Sequence, residues 1–134
     1  MRKMTTLALA ATLVGGFGGA AAADLSKEGD INAGLMAVAA ADKIRRECSA
    51  ISGRLWVARS YVNTLTDMAR DRGYSEAEID AYINDRAEKA KMRERRNAYF
   101  KSKGASNLDP ESLCTLGRAE IAGQTQIGAF LKAK

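Results

Sequence analysis

The chain has 134 residues, of which 46% are apolar and 28% charged, with two cysteines, one proline and no histidine. A chain of this length forms one small domain. The lack of histidine removes the side chain most used for proton transfer near neutral pH, which is also the commonest metal ligand. It also excludes a covalent haem attachment motif. The composition therefore argues against most classes of enzyme and metalloprotein.

Residues 1–23 have the three regions of a secretory signal peptide. Arg2 and Lys3 are basic, residues 7–17 are apolar, and residues 21–23 are small alanines that suit a cleavage site. A membrane anchor is the alternative, but the apolar centre is shorter than the ~20 residues that a spanning helix needs. We therefore expect cleavage after the alanines, export to the periplasm and a single mature domain at residues 24–134.

The predicted mature chain is only weakly basic. Without Arg2 and Lys3 it has 19 basic and 16 acidic residues, which gives a net charge of about +3. Its longest uncharged segments, residues 31–41 and 121–131, have 11 residues each and are too short to cross a bilayer. We therefore expect no transmembrane span in the mature chain.

The spacing of apolar residues predicts helices and no strand. Asp30 is placed to cap a first helix whose apolar face extends to Cys48 and Ile51. A second helix begins at Leu55, repeats apolar residues at spacings of three and four, and ends at Gly73. We expect its aromatic residues to pack in the core and to form no cofactor platform: Trp56 and Tyr61.

Capping residues mark two further helix starts. Ser75 and Glu78 form the S-x-x-E pattern of a capping box, and the helix that starts there is expected to continue to Gly104. Asp109, followed by proline at the first helical position, starts a fourth helix that extends to Leu131. The connections are short. The sequence therefore predicts an all-α fold, a small four-helix bundle-like domain.

The two cysteines, Cys48 and Cys114, are each expected on the inward side of a helix. In an oxidising compartment two thiols without a competitor allow one pairing. A redox-active pair is the alternative, but the C-x-x-C spacing is missing. Two distant thiolates without imidazole do not make a metal site. We therefore predict a structural disulfide that supports a core poor in large apolar side chains.

Residues 86–103 carry eight basic and two acidic residues. Such a helix could bind an anionic lipid surface or an acidic protein. The alternative is a solvated helix face that has no partner. We do not expect nucleic acid as a ligand, because an exported protein rarely meets it and no recognised reader motif is present. Four of the cations would share one face of the helix: Arg86, Lys89, Arg93 and Arg96.

Short motifs are spread over most of the predicted mature domain. Besides the two cysteines they are Gly73-Tyr74-Ser75, Glu78-Ile79, Tyr99-Phe100, Glu111-Ser112-Leu113-Cys114 and the closing segment 121–131. In this arrangement the chain resembles an uncharacterised family of small exported bacterial proteins that is classed as a domain of unknown function. The resemblance implies an exported helical fold and no particular activity.

A second similarity concerns architecture alone. HdeA-like acid-stress chaperones are also small, periplasmic, helical and held by one disulfide, but their cysteines are closer together and no residue can be carried over. The leading hypothesis is a non-catalytic exported protein without a cofactor, structural or interacting with an envelope protein or an anionic lipid surface. The alternatives are an acid-stress chaperone and a binder of anionic envelope lipid through residues 86–103.

Overall fold

The structure, a computed structural model, describes residues 24–134, and the predicted signal peptide lies outside the described residues. The described chain is mostly helical, which confirms the predicted class. None of these helices combines the length and the apolar character that crossing a membrane requires. The elements are a 3-10 turn at Leu25–Lys27, α1 (Gly29–Glu47), β1 (Ile51–Gly53), α2 (Leu55–Asp71), α3 (Glu76–Asn84), α4 (Arg86–Ser102), α5 (Pro110–Ala122), α6 (Gln126–Ala129) and β2 (Leu131–Ala133).

The predicted third helix is in fact two helices, α3 and α4. The capping box of Ser75 and Glu78 starts α3, as predicted. Asp85 then has an extended backbone, and its carboxylate accepts a hydrogen bond of 2.9 Å from the backbone N–H of Glu88. Asp85 therefore ends one helix and caps the next. An Asp followed three positions later by an acidic residue is typical of a helix start. The apolar spacing continues across Asp85 and therefore did not indicate this break.

Two segments predicted as helix form a small antiparallel sheet. Ile51 lies in β1 and Leu131 in β2, with Ser52 opposite Lys132 and Gly53 opposite Leu131. The first helix ends earlier than predicted, because the backbone at Cys48 is extended. These strands pair residues about 80 positions apart. Local apolar spacing carries no signal for such a pairing, so the expectation of no strand was wrong.

Two hydrophobic clusters hold the elements together. The first cluster joins α1, α4, α5, α6 and both strands around Ile44, Phe100, Leu113 and Phe130, which are at most 2% exposed. Tyr61 of α2 packs against both clusters, so the two are continuous through its side chain. The second cluster joins the 3-10 turn, α1, α2 and α3: Leu25, Ile31, Leu65, Ala69, Tyr74 and Ile79.

Cys48 and Cys114 form the predicted disulfide, with their Cα atoms 5.2 Å apart. Cys48 follows the last residue of α1 and is fully buried in the first cluster, whereas Cys114 lies on α5 and packs against that cluster. The bond therefore fastens α1 to α5 inside the larger of the two clusters.

We expect the double variant Cys48→Ala/Cys114→Ala to have a free energy of unfolding lower by about 4 kcal/mol, because the unfolded chain regains the entropy of a long loop. The two cysteines are 66 positions apart. Alanine avoids burying an unpaired hydroxyl at the enclosed Cys48 position. Urea unfolding of the oxidised protein measures the difference. Reduced wild-type protein is the control and should match the variant, and equal stability of all three would contradict the assigned role.

Candidate functional site

The four cations predicted to share one face of residues 86–103 differ in their exposure to solvent. Arg86, Lys89 and Arg93 are exposed on α4, but Arg96 is only 9% exposed. The Arg96 guanidinium lies 5.9 Å from the centre of the Phe100 ring, and burial lowers its pKa. Arg96 therefore contributes to the packing of α4, and the predicted cationic face is reduced to three residues.

Large apolar side chains are exposed at the start of α2. Trp56, the only tryptophan of the chain, is 82% exposed and Leu55 is 59% exposed. The expectation that Trp56 packs in the core was wrong. Trp56 precedes the buried Leu65 by nine residues, which is two and a half helical turns, and so points away from the core face. An exposed aromatic side chain of this size is available to a partner.

The start of α2 is fixed by the small sheet. The backbone N–H of Arg54 donates a hydrogen bond of 2.7 Å to the carbonyl oxygen of Phe130, which directly precedes β2. The guanidinium of Arg54 also donates to the carbonyl oxygen of Ala129 at 3.4 Å. Trp56 is thus presented by a part of the backbone that both strands hold in place.

The chain around Trp56 carries cations and no acidic residue. Residues 48–66 contain Arg54 and Arg59, residues 121–133 contain Lys132, and neither segment contains Asp or Glu. The pairing of β1 with β2 brings these segments together. Arg59 is exposed and lies one turn after Trp56 on the same side of α2. We call the following set the tryptophan surface: Arg54, Leu55, Trp56, Arg59 and Lys132.

A shallow groove of about 280 Å³ between α1 and α2 adjoins this surface and includes Leu55 and Arg59 in its wall. Arg45 of α1 lies on the other side and forms an ion pair of 2.6 Å with Asp42. The side chain of Arg45 crosses Gly53 so closely that an added Cβ there would clash with its Cδ atom. The groove therefore extends the tryptophan surface with mostly apolar lining and cationic edges.

Two buried polar side chains connect the helices, and neither was predicted from the sequence. The Asn32 amide of α1 donates hydrogen bonds of 2.8 Å to the carbonyl oxygens of Leu25 and Glu28, and its oxygen accepts from the Tyr82 hydroxyl. Asn32 is 5% exposed. Both ends of its amide group are thus used to hold the 3-10 turn and α3 against α1.

Glu120 of α5 is the second of these buried groups, at 4% exposed. Its carboxylate accepts hydrogen bonds from the hydroxyls of Tyr99 on α4 and Thr125, the N-cap of α6. Burial and the bond to Glu120 raise the pKa of Tyr99 to about 12. The sequence feature that could have indicated the burial of Glu120 is its position four residues after the buried Leu116, on the same face of α5.

An ion cluster closes the N-terminal part of the domain. Arg72, just after α2, binds the carboxylates of Glu28 and Asp30 at 2.5 Å each, and the Tyr74 hydroxyl donates to Glu28 at 2.9 Å. Asp30 was predicted as the helix cap, but the cap residue is Glu28. The hydrogen bond from Arg72 lowers the pKa of Asp30 to about 2. We call Glu28, Asp30 and Arg72 the N-terminal ion cluster.

A model of the family of unknown function DUF5333 matches residues 23–132. The chain belongs to this family. The match includes both cysteines and nearly all of the described DUF5333 domain, and it agrees with the resemblance found in the sequence. No curated protein and no solved structure matches the chain. Membership of DUF5333 therefore assigns a family but no activity.

We expect Asp30→Asn to lower the melting temperature of the DUF5333 domain slightly at pH 7 and hardly at all at pH 2. The folded pKa of Asp30, about 2, lies below its ordinary value of 3.8. Its ionised carboxylate therefore stabilises the fold above about pH 4, and this contribution is lost as the pH falls toward about 2. The effect is small because exposed ion pairs are well screened.

Thermal unfolding followed by circular dichroism at a series of pH values checks this dependence. Asp80→Asn is the matched control, because Asp80 is exposed on α3 and forms no ion pair within residues 24–134. A decrease for Asp30→Asn that is the same at pH 2 and pH 7 would contradict the role of the N-terminal ion cluster.

Proposed function

We propose that this DUF5333 protein is an exported, non-catalytic interaction protein and that the tryptophan surface is its contact surface. The observation that carries the proposal is the 82% exposure of Trp56 beside the exposed Leu55. Tryptophan and arginine are the residues that most often dominate binding energy at protein surfaces. Contiguous exposed apolar surface with a polar rim is a typical mark of an interaction site, and here Leu55 and Trp56 are adjacent between Arg54 and Arg59.

Export to the periplasm is supported by the signal-peptide pattern of residues 1–23 and by the disulfide. Disulfides such as Cys48–Cys114 form and persist in oxidising compartments and are rare in the cytosol. A structural disulfide that fastens the main hydrophobic cluster suits a protein that works in the cell envelope.

A non-catalytic role is supported by the use of the buried polar groups. Asn32 and Glu120 direct their hydrogen bonds to neighbouring elements of the fold. A general acid or base must instead reach a proton of the substrate. The two buried groups therefore act in packing, and the exposed surface is where a partner can be met.

We expect Trp56→Ala to reduce binding of the oxidised protein to envelope fragments of its producing cells by about tenfold or more, a loss typical of a central binding residue. The fraction bound is measured by sedimentation. Because Trp56 is exposed, the melting temperature should not change. Leu108→Ala removes another exposed apolar side chain, 85% exposed, and is the matched control. Equal binding of both variants and wild type would overturn the proposal.

An acid-stress chaperone is the second candidate, and one observation favours it. The first cluster is fastened by the disulfide, whereas the second cluster lies under the carboxylates of the N-terminal ion cluster. Protonation of the Asp30 carboxylate would weaken its ion pair with Arg72 and loosen the second cluster, while the covalent bond keeps the rest compact. Apolar side chains of the second cluster could then contact client proteins.

Binding of a hydrophobic dye and near-ultraviolet circular dichroism between pH 8 and pH 2 test this candidate, together with suppression of the aggregation of an acid-denatured client. We expect no change between about pH 8 and pH 5, because the chain has no histidine. Below about pH 4 we expect local opening with weak client protection. Strong protection at substoichiometric amounts near pH 3 would favour the chaperone, and protection already at pH 6 would contradict it.

A further inference from the structure

We propose that the tryptophan surface docks on an anionic lipid bilayer, with Trp56 and Leu55 at the boundary between headgroups and acyl chains. The cations Arg54, Arg59 and Lys132 then lie against the anionic headgroups. This inference rests on the proposed function, since it names the partner that the same surface contacts.

The apolar part of the surface suits the interfacial region of a membrane. Trp56 and Leu55 are adjacent and exposed by 82% and 59%. Tryptophan is enriched at membrane–water interfaces, because its ring has a large apolar body and a polar N–H that remains hydrated. Two neighbouring apolar side chains on the first turn of a helix can enter the headgroup region without any change of the fold.

The charges around these side chains are complementary to an anionic lipid surface. No acidic residue occurs in residues 48–66 or 121–133, which together contain Arg54, Arg59 and Lys132. The acidic residue that lines the adjoining groove, Asp42, forms ion pairs of 2.6 and 2.7 Å with Arg45 and Arg46. No unpaired carboxylate in the groove therefore opposes the approach of anionic headgroups.

The basic helix α4 is less suited to the same partner. Glu88 and Glu94 are interspersed among its cations, and Glu88 already pairs with Lys91 at 3.1 Å. The exposed apolar residue beside its cations is Ile83 at the end of α3, which shares a groove with Lys89 and is 49% exposed, against 82% for Trp56. A mainly cationic face with one half-exposed aliphatic residue binds lipid chiefly by screened electrostatics, with little apolar insertion. The tryptophan surface combines both contributions.

A bilayer also fits the size of the surface better than a protein does. A stable protein interface covers roughly 800 Å² on each partner and about 20 to 30 residues. The five residues of the tryptophan surface and the eight further residues that line the adjoining groove are fewer than that. Interfacial docking needs only a shallow anchor together with several cations, which is what this end of α2 and the two-stranded sheet provide.

The fluorescence of Trp56 tests the inference directly, because the chain has one tryptophan. The oxidised protein is mixed with vesicles of phosphatidylglycerol and phosphatidylcholine, or of phosphatidylcholine alone. With the anionic vesicles we expect a blue shift of the emission, and we expect affinity to fall steeply as salt is raised. With neutral vesicles we expect little shift. A Trp56 emission that does not change with anionic vesicles would overturn the inference.

Matched double variants locate the contact. Arg59→Gln/Lys132→Gln should weaken binding to anionic vesicles by about tenfold or more, since each cation near the surface contributes about a fivefold gain. Arg86→Gln/Arg93→Gln removes the same charge from α4 and should change binding by less than about threefold. A larger loss for the α4 variant would place the contact on α4 and overturn the inference.

Comparison with envelope fragments separates failure of the inference from failure of the proposed function. If Trp56→Ala loses binding to envelope fragments and wild type does not bind vesicles, the partner is an envelope component other than an anionic bilayer, so the proposed function stands and the lipid inference falls. If Trp56→Ala binds both preparations as wild type does, both fall. Loss of both kinds of binding, with Leu108→Ala unaffected, supports both.

Discussion

The disulfide between Cys48 and Cys114 is the constraint on which the rest of the structure depends. The face of α1 that it fastens to α5 is built largely of alanine, which buries little apolar area per residue. Close packing at Gly117 of α5 partly compensates for this small apolar area. The approach there is so close that an added Cβ would lie 2.5 Å from Ile51 and 2.8 Å from Ile44. Since β1 begins three residues after Cys48, the bond also holds in place the start of the strand that leads into α2 and Trp56.

Local capping signals correctly predicted the starts of α3 and α5. Ser75, Asp109 and Pro110 act within four residues of their own position, so the sequence contains the whole interaction. The positions at which predicted helices are interrupted were harder to predict from the sequence. Asp85 interrupts a run of good helix formers, and Ile51 and Leu131 find each other across the chain. An apolar residue that packs in a strand and one that packs in a helix look alike when only the spacing of their neighbours is read.

The tryptophan surface was not predicted from the sequence, because the candidate cations were placed on residues 86–103 and Trp56 was expected in the core. The sequence identifies the cations and the single tryptophan, but which side of a helix packs depends on elements that are distant in the chain. Arg96 is buried because α4 turns that side toward the core, and Trp56 is exposed because Leu65 and Ala69 face inward. The disulfide needed no such information, since two cysteines allow one intramolecular partnership.

The disulfide fastens the first hydrophobic cluster and not the second. We therefore expect the second cluster to open locally at a lower free-energy cost than the first. Amide protons in α3 and the 3-10 turn can exchange with solvent when the second cluster separates alone. The amide protons of α1 near Ile44 and of α5 exchange only when the cross-linked cluster is disrupted. We therefore expect slower amide exchange around the cross-link than at the N-terminal side of the domain. Tyr61, which touches both clusters, sits at the boundary between these two cooperative units.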